Sequence, residues 1–433
     1  MRRRALLGWL ALAGVLPVAS CDCSGGTKGD APEGAGSVTA TPAPPPKLVS
    51  RTFHLDNGLE VDLATGPCGE RLGLALLLSL GIDHDPDGRS GMVQVVAEVL
   101  KGAAGASPHQ PKVELGEAFT LYTATPPADA LPKELEAIAA WLAHEPSAED
   151  LERAKKAVLE AIAARDGGDP AAMARSFAEE SLLPTRNQGK RLGLRDEVEA
   201  ITLEELQAFF AAHVAAGNAR LVLAGARDGA AVEAAVRKAL GALPKGTPPE
   251  AGQAAPATVK GTLVMGDAPS AIAIAVPAPE MTSPVFPAFL VLAARLLAAE
   301  SPRFAVGYDP LLRPELLFIT GSVPEGRQPE PSAEVIRGDV AKLLEAPFGD
   351  EDRTRTEARF PLLLAPDLLD PAVCKPDPRA YAVARARRGA IKGVTLEGVA
   401  EGLDEARALF GPTGSAAVIA GGKLPAPLEP KDD

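Results

Sequence analysis

Apolar and polar positions alternate from Arg51 onward: Phe53 and Leu55, then Leu59, Val61 and Leu63, with Asn57-Gly58 between the two runs. Alternation of period two puts successive side chains on opposite faces of a strand, and Asn-Gly favours a type I′ turn, so a β-hairpin is expected. The run "RLGLALLLSLG" (Arg71–Gly81) is apolar without alternation, which suits a strand covered on both faces. At "GMVQVVAEVL" (Gly91–Leu100) the period changes. Apolar residues at 92, 93, 95, 96, 99 and 100 form a stripe, and Gln94, Ala97 and Glu98 share another face at i, i+3 and i+4, the signature of an amphipathic helix. "FTLYTAT" (Phe119–Thr125) predicts a strand, and Leu131–His144 and Ala148–Arg165 predict two helices, the second with Ser147 as N-cap and acids in its first turn.

A helix–strand unit occurs twice. "ITLEELQAFFAAHV" opens with a Thr202–Glu205 capping box and leads through Gly217-Asn218 into "ARLVLAGA"; "VTLEGVAEGLDEARALFGPTGSAAVIAGG" (394–422) repeats the order of Thr-capped helix, glycine turn and strand. A duplicated α+β unit is the economical reading: two homologous domains, each a mostly antiparallel sheet packed by helices. The expected boundaries are 51–245 and 261–425, with a Pro/Gly-rich linker over 246–260 and a tail over 426–433. The second half predicts strands near Thr262–Gly266, Ala271–Val276 and Leu316–Val323. Its helices are expected near Pro287–Ala299, Ser332–Leu344 and Pro378–Ile391.

The chain of 433 residues is 46% hydrophobic but only 4% aromatic, with Ala and Leu carrying the apolar content, which favours helix-rich packing. Its formal charge of -13 argues against nucleic-acid backbone binding, which needs Lys and Arg to displace counterions. "MRRRALLGWLALAGVLPVASC" has a basic start, an apolar run too short for a comfortable span, and small residues before Cys21, the layout of a secretory signal over residues 1–20. "VASC" resembles the lipobox of bacterial lipoproteins, which implies lipidation at Cys21 and a bacterial cell-envelope location facing the periplasm, on either membrane. The other reading is a plain signal with a disulfide cysteine at Cys21. Residues 21–50, rich in Gly, Ser, Ala and Pro, have too little apolar content to bury and read as a tether. Cys68 and Cys374 are able to pair outside the cytosol; sequence leaves that open.

The order "LDNGLEV", "LSLGIDHDPDGRSGMVQVVAEVL", "AKKAVLEAI", "ITLEELQAFFAAHV…GNARLVLAGA" and "ALPKG" resembles the insulinase (pitrilysin) family of inverted-motif zinc peptidases through residues 51–245, and more loosely beyond. The resemblance implies a clamshell of paired α+β domains around a peptide chamber. It implies zinc held by H-x-x-E-H on one helix, whose Glu activates water, and by a Glu on a later helix. The matching positions are Gln94, Ala97, Glu98 and Ala161: an amide, a methyl, one carboxylate and another methyl. Glu160 is adjacent to the fourth position, but one helical step turns it about 100° away. His84 and His109 are the conceivable replacements, against the reading that they are ordinary loop histidines. Zinc is therefore not expected, and no other cofactor is implied.

Two further departures bear on binding. Gln94 and Ala161 are 67 residues apart, shorter than the family's usual interval. The loss falls between Lys101 and Phe119, where the family keeps a helix and the edge strand that pairs with substrate, so substrate binding by strand addition is not expected. "SPRFAVGY" offers Arg303 and Tyr308 for the substrate-contacting Arg and Tyr of active members, at a tighter spacing. The functional expectation is a non-catalytic partner subunit of an active family member, forming a heterodimer and holding a peptide or protein ligand, with membrane attachment through the lipid. The alternatives are a standalone envelope peptide-binding or scaffold lipoprotein, and an active metalloendopeptidase with unusual ligands.

Overall fold

Strands β1 (Val49–His54) and β2 (Glu60–Thr65) pair antiparallel with His54 opposite Glu60, as the alternation predicts. The turn between them is not type I′. Gly58 takes a left-handed φ of +89°, whereas Asn57 does not, and the Leu55 carbonyl accepts from the Gly58 N–H around Asp56-Asn57. A type I′ turn needs φ > 0 at both central residues. Here the Asn57 amide is committed elsewhere, donating to the Leu240 carbonyl at 2.8 Å and the Leu243 carbonyl at 3.1 Å.

This computed structural model describes residues 49–421, apart from 67–70, 106, 108, 183–191, 227, 251–260, 312, 365–381, 384–385 and 387–393. The expected signal, Cys21, nearly all of the expected tether, Cys68, Cys374 and most of the helix expected over Pro378–Ile391 lie outside the described residues.

In the first half, β3 (Gly73–Leu78) leads to α1 (Met92–Ala104), β4 (Lys112–Leu115) and β5 (Thr120–Ala124). The helices α2 (Leu131–Leu142), α3 (Ala148–Ala163), α4 (Pro170–Glu180), α5 (Arg195–Ala200) and α6 (Leu203–His213) follow, then β6 (Ala219–Ala226) and α7 (Gly229–Leu240). The strands lie in the order β1-β2-β6-β3-β5-β4, antiparallel except for β2 beside β6. β3 is central and buried on both faces, as its unbroken apolar run requires. Leu74, Leu76 and Leu78 face a core shared with Val96, Leu100, Leu135 and Phe210.

The start of α1 is fixed from a distance. Gly91 enters it at φ +96°, a conformation that glycine tolerates. The buried Asp85 carboxylate accepts from the N–H groups of Gly91 and Val93, both at 2.7 Å, which satisfies two donors a helix start leaves unpaired. Ser147 caps α3 and Thr202 caps α6, each in a reciprocal capping box.

The second half repeats this plan. Its elements are β7 (Gly261–Met265), β8 (Ala271–Pro277), α8 (Phe286–Ala298), β9 (Phe304–Asp309), β10 (Arg313–Ser322), α9 (Pro329–Leu344), α10 (Asp350–Arg359), the short α11 (Pro361–Leu364), α12 (Val399–Ala408) and β11 (Ala416–Ala420). The order β7-β11-β8-β10-β9, with β11 parallel to β7 and antiparallel to β8, matches β2-β6-β3-β5-β4 of the first sheet strand for strand. The duplication thus extends through both sheets. The second copy of the cap does not hold: α12 starts after Gly398, at φ +71°, and Thr395 lies three residues before that N-cap position.

Each half covers the other's outer sheet face. Met173, Ala174 and Ala178 of α4 pack on Ala273, Ala275, Phe318 and Val418 of the second sheet. In return, Leu362, Ala382, Val383 and Ala386 pack on Ala64, Ala75, Leu121 and Val222 of the first. Small residues on these sheet faces let the covering segments approach closely, and the burial ties the two halves into one unit.

Candidate functional site: a degenerate metal frame beside an edge strand

Helices α1 and α3 run antiparallel, anchored at both ends. The Arg153 guanidinium lies against Gly102 in the last turns of α1. Past the end of α3, Arg165 donates to the Gly193 carbonyl at 3.0 Å, and Gly193 sits against Gly91 at the start of α1. Ala161 is eight residues beyond Arg153 and Gln94 is eight before Gly102, each about 12 Å along its helix at 1.5 Å per residue. The four positions named by the sequence therefore share one pair of helices, with Ala161 level with Gln94.

The side chains there do not make a metal site. Gln94 is half-buried, Ala97 is buried and Ala161 is exposed. Glu98, the one carboxylate, holds the Lys101 ammonium at 2.5 Å. Glu160 instead faces a surface hollow lined by Lys155, Lys156 and Arg195. His84 turns its Nδ1 to the Gly81 N–H at 3.0 Å. His109 is half-buried, with an Nε2 that has no hydrogen-bond partner. Among the described residues, no three His, Cys, Asp or Glu side chains converge as a metal set. An amide, a carboxylate already paired with an ammonium, and two methyls do not fit zinc, which takes thiolate, imidazole or carboxylate ligands in a closed set.

What the frame borders is a cleft of about 430 Å³ whose lining includes Gln94, Lys101, Val113, Leu115, Asp309 and Arg313. Val113 and Leu115 belong to β4, the outermost strand beyond β5. This corrects the expectation that the shortened interval removes the edge strand. β4 follows α1 after a short connection between Ala104 and Lys112, and its four residues pair with β5.

Asp309 and Arg313 come from the second half, at the β9–β10 hairpin, where Leu311 N–H bonds the Asp309 carboxylate at 2.9 Å in an Asx-type turn. Sequence reasoning missed them; the signal was the Asp309-Pro310 pair between two apolar runs. Arg313 approaches Glu179 of α4 at 3.6 Å. Burial raises the Glu179 carboxyl pKa, while the Arg313 and Arg175 charges oppose it. The Arg175 guanidinium, its pKa lowered by burial, lies 4.7 Å over the Phe318 ring.

Arg303 and Tyr308 are not brought together. Arg303 is exposed and pairs with Asp339 of α9 at 2.5 Å. Tyr308 is buried against Phe289 and donates to the Pro314 carbonyl at 3.2 Å. Arg303 lies just before β9, and Tyr308 is within it. Neither lines the Gln94 cleft.

Residues 200–306 match the family model described as Peptidase M16 inactive domain. No curated protein matches the chain. Among solved structures, a protease from Helicobacter pylori superposes with a TM-score of 0.65 at 13% identity, covering 86% of this chain and 99% of that one. A peptidase M16 inactive domain from Pseudomonas fluorescens gives 0.63 at 16% identity, covering 87% and 100%. A mutant of the ferredoxin protease FusC, in complex with Arabidopsis ferredoxin, gives 0.52 at 16% identity, covering 88% of this chain and 49% of that one. At these identities the structural likeness is one of fold. It bears out the α+β reading, and the match to the inactive domain agrees with the insulinase-family resemblance and with a non-catalytic member.

Proposed function

With the fold of the insulinase-type M16 peptidases and a match to that family's inactive domain as premises, we propose that this chain is a non-catalytic subunit that holds an extended peptide in the Gln94 cleft beside a catalytically competent relative. The observation that carries the reading is the combination at one place. The helix frame is kept, the ligand chemistry is gone, and the β4 edge with its flanking cleft is retained. An exposed strand edge offers unpaired N–H and C=O groups, so an extended peptide adds to it through backbone hydrogen bonds whatever its sequence. Loss of catalysis leaves that capacity intact. The FusC structure, with a whole protein bound, supports a protein or peptide as the ligand class here.

In this reading the chain carries no zinc, binds no nucleic acid, and is held in the bacterial envelope through lipid on Cys21. Several acyl chains on that residue would give stable attachment. The test is co-purification of the envelope-expressed full chain with a relative bearing an intact H-x-x-E-H motif. Stable co-elution, lost when Val113→Pro blocks the β4 edge or retained with loss of peptide capture only, supports the subunit role. A monomer that binds peptides without any such relative favours the standalone binding lipoprotein. Stoichiometric zinc in the unmodified protein refutes both. Cys21→Ser shifting the protein from the membrane to the soluble fraction tests the anchor separately.

A further inference from the structure

The two sheets end differently. In the first, β1 lies antiparallel along the whole of β2, and Val61, Asp62, Leu63 and Ala64 of β2 are buried. β7 is the equivalent of β2, yet the second sheet ends on it, with no strand outside it among the described residues. Thr262, Leu263 and Val264 are exposed, Leu263 to 41% and Val264 to 37%. Successive residues of a strand face opposite sides, so these two apolar side chains lie bare on the two faces of one edge. A partner lying on either face would cover one of them; a strand added alongside covers both. The edge is also unguarded. Natural edges are commonly protected by charge or proline. Lys112 and Glu114 stand on β4, Arg51 on β1 and Asp309 on β9, whereas "GTLVM" of β7 has neither. None of its residues lines the Gln94 cleft.

The hydrogen bonds on the inner side of β7 fix what its outer side offers. The Gly261 N–H donates to the Ser415 carbonyl and the Gly421 N–H to the Met265 carbonyl, both at 3.1 Å. With β11 parallel and Ala416 to Ala420 beside Gly261 to Met265, the main-chain groups of Gly261, Leu263 and Met265 turn inward. The N–H and C=O of Thr262 and Val264 therefore point outward, and no described residue pairs with them. A second β7, antiparallel about a twofold axis through Leu263, matches this set in full. Thr262 and Val264 of one copy stand opposite Val264 and Thr262 of the other. Each of these pairs exchanges both its N–H···O=C bonds, which uses every outward group. Leu263 then meets its own copy at a non-hydrogen-bonded site, where opposed side chains come closest, with Cα atoms about 4.5 Å apart. An axis through Val264 would instead set Thr262 opposite Gly266, beyond the end of β7.

We propose that β7 is a self-association edge: two copies of this chain join β7 to β7, antiparallel, and continue the second sheet from one molecule into the next. The contact is small beside the roughly 800 Å² per partner of a standard stable interface, so the dimer is reversible. Sedimentation of the full chain over a range of concentrations should show monomer passing to dimer. Exchange of the Thr262 and Val264 amides should slow by about fivefold or more at the dimeric end. Val264→Pro removes an outward donor from each copy and leaves the bonds to β11 in place. It should weaken the dimer by about tenfold or more, with β8 amides unchanged as the control for an intact fold. Leu263→Cys should give an oxidised dimer joined at position 263 of both chains. Val264→Cys, similarly exposed but opposite Thr262, should not join at its own position. Thr262 and Val264 amides protected equally at every concentration overturn the proposal and assign the edge to a segment of the same chain. A monomer at all concentrations overturns it, as does a dimer that Val264→Pro leaves unchanged, which places self-association elsewhere.

Discussion

Arg153 on α3 rests against Gly102 on α1, where a Cβ would come within 2.3 Å of its guanidinium. With the Arg165–Gly193 contact at the other end, this sets Ala161 level with Gln94. A frame kept in register should accept its missing ligands. The combined variant Gln94→His, Ala97→Glu, Glu98→His, Ala161→Glu is expected to bind one zinc per chain by elemental analysis. Because Ala97 is buried, the smaller set without Ala97→Glu is the control for folding. A folded variant without metal would show that the two helices no longer stand at ligand distance.

The exchange of covering segments predicts joint unfolding. Met173 is fully buried against the second sheet although it belongs to the first half. Met173→Ala should cost about 2–5 kcal/mol. Denaturant unfolding should remain one transition with a lower midpoint, whether followed by Trp141 in the first half or by hydrogen exchange of β8. Two separated transitions in the unmodified protein would refute the coupling.

Glu134 is buried with two hydroxyl donors, Tyr122 at 2.7 Å and Ser107 at 3.0 Å, and Tyr122 packs edge-on to Trp141 at 5.3 Å. Burial, with the Glu134 hydrogen bond, pushes the Tyr122 hydroxyl well above the usual tyrosine range. Tyr122→Phe leaves Glu134 with one donor of the pair and should cost about 1–3 kcal/mol. Tyr122→Phe combined with Glu134→Leu should recover part of that loss. A double variant weaker than the sum of the two single changes would refute the pairing.

Asp352 predicts the shape of the acid limb. Arg295 donates to both its oxygens, at 2.7 and 2.6 Å, and holds the carboxyl below the ordinary range against the opposing effect of burial. The folded state therefore binds this proton more weakly than the unfolded state, and stability rises with pH across the interval between the two pKa values. The contribution is complete above the unfolded value, roughly 4, and is lost as pH falls through the depressed folded one. Asp352→Asn should lower Tm near neutrality and flatten its fall below about pH 4. Parallel acid limbs in the two proteins would remove Asp352 as a source of the dependence.

The elements that periodicity revealed are those with a continuous apolar run or stripe and a clear stop. β3, α1, α3 and α6 fall where the pattern and their capping residues put them. What the pattern missed has other causes. α10, "DEDRTRTEAR", buries only Asp352 and Thr356, so it has no apolar stripe; the Arg295 pair secures its first turn. α4 is short and rich in alanine, and its partner face lies on the other sheet. β4 has only four residues, one of them buried. The Gln94 frame was legible because helical spacing maps sequence directly onto a face. Asp309 and Arg313 were not, because they reach the cleft only once two distant halves pack.

The reciprocal cover has a consequence for biosynthesis. The first sheet is sealed by residues as late as Ala386. The α4 ridge of Met173, Ala174 and Ala178 emerges about a hundred residues before β8, the first strand it packs against. During synthesis both oily surfaces are therefore bare together, and neither half has a finished state to wait in. Cut within residues 246–260, the chain should yield two fragments that stay soluble only in each other's company.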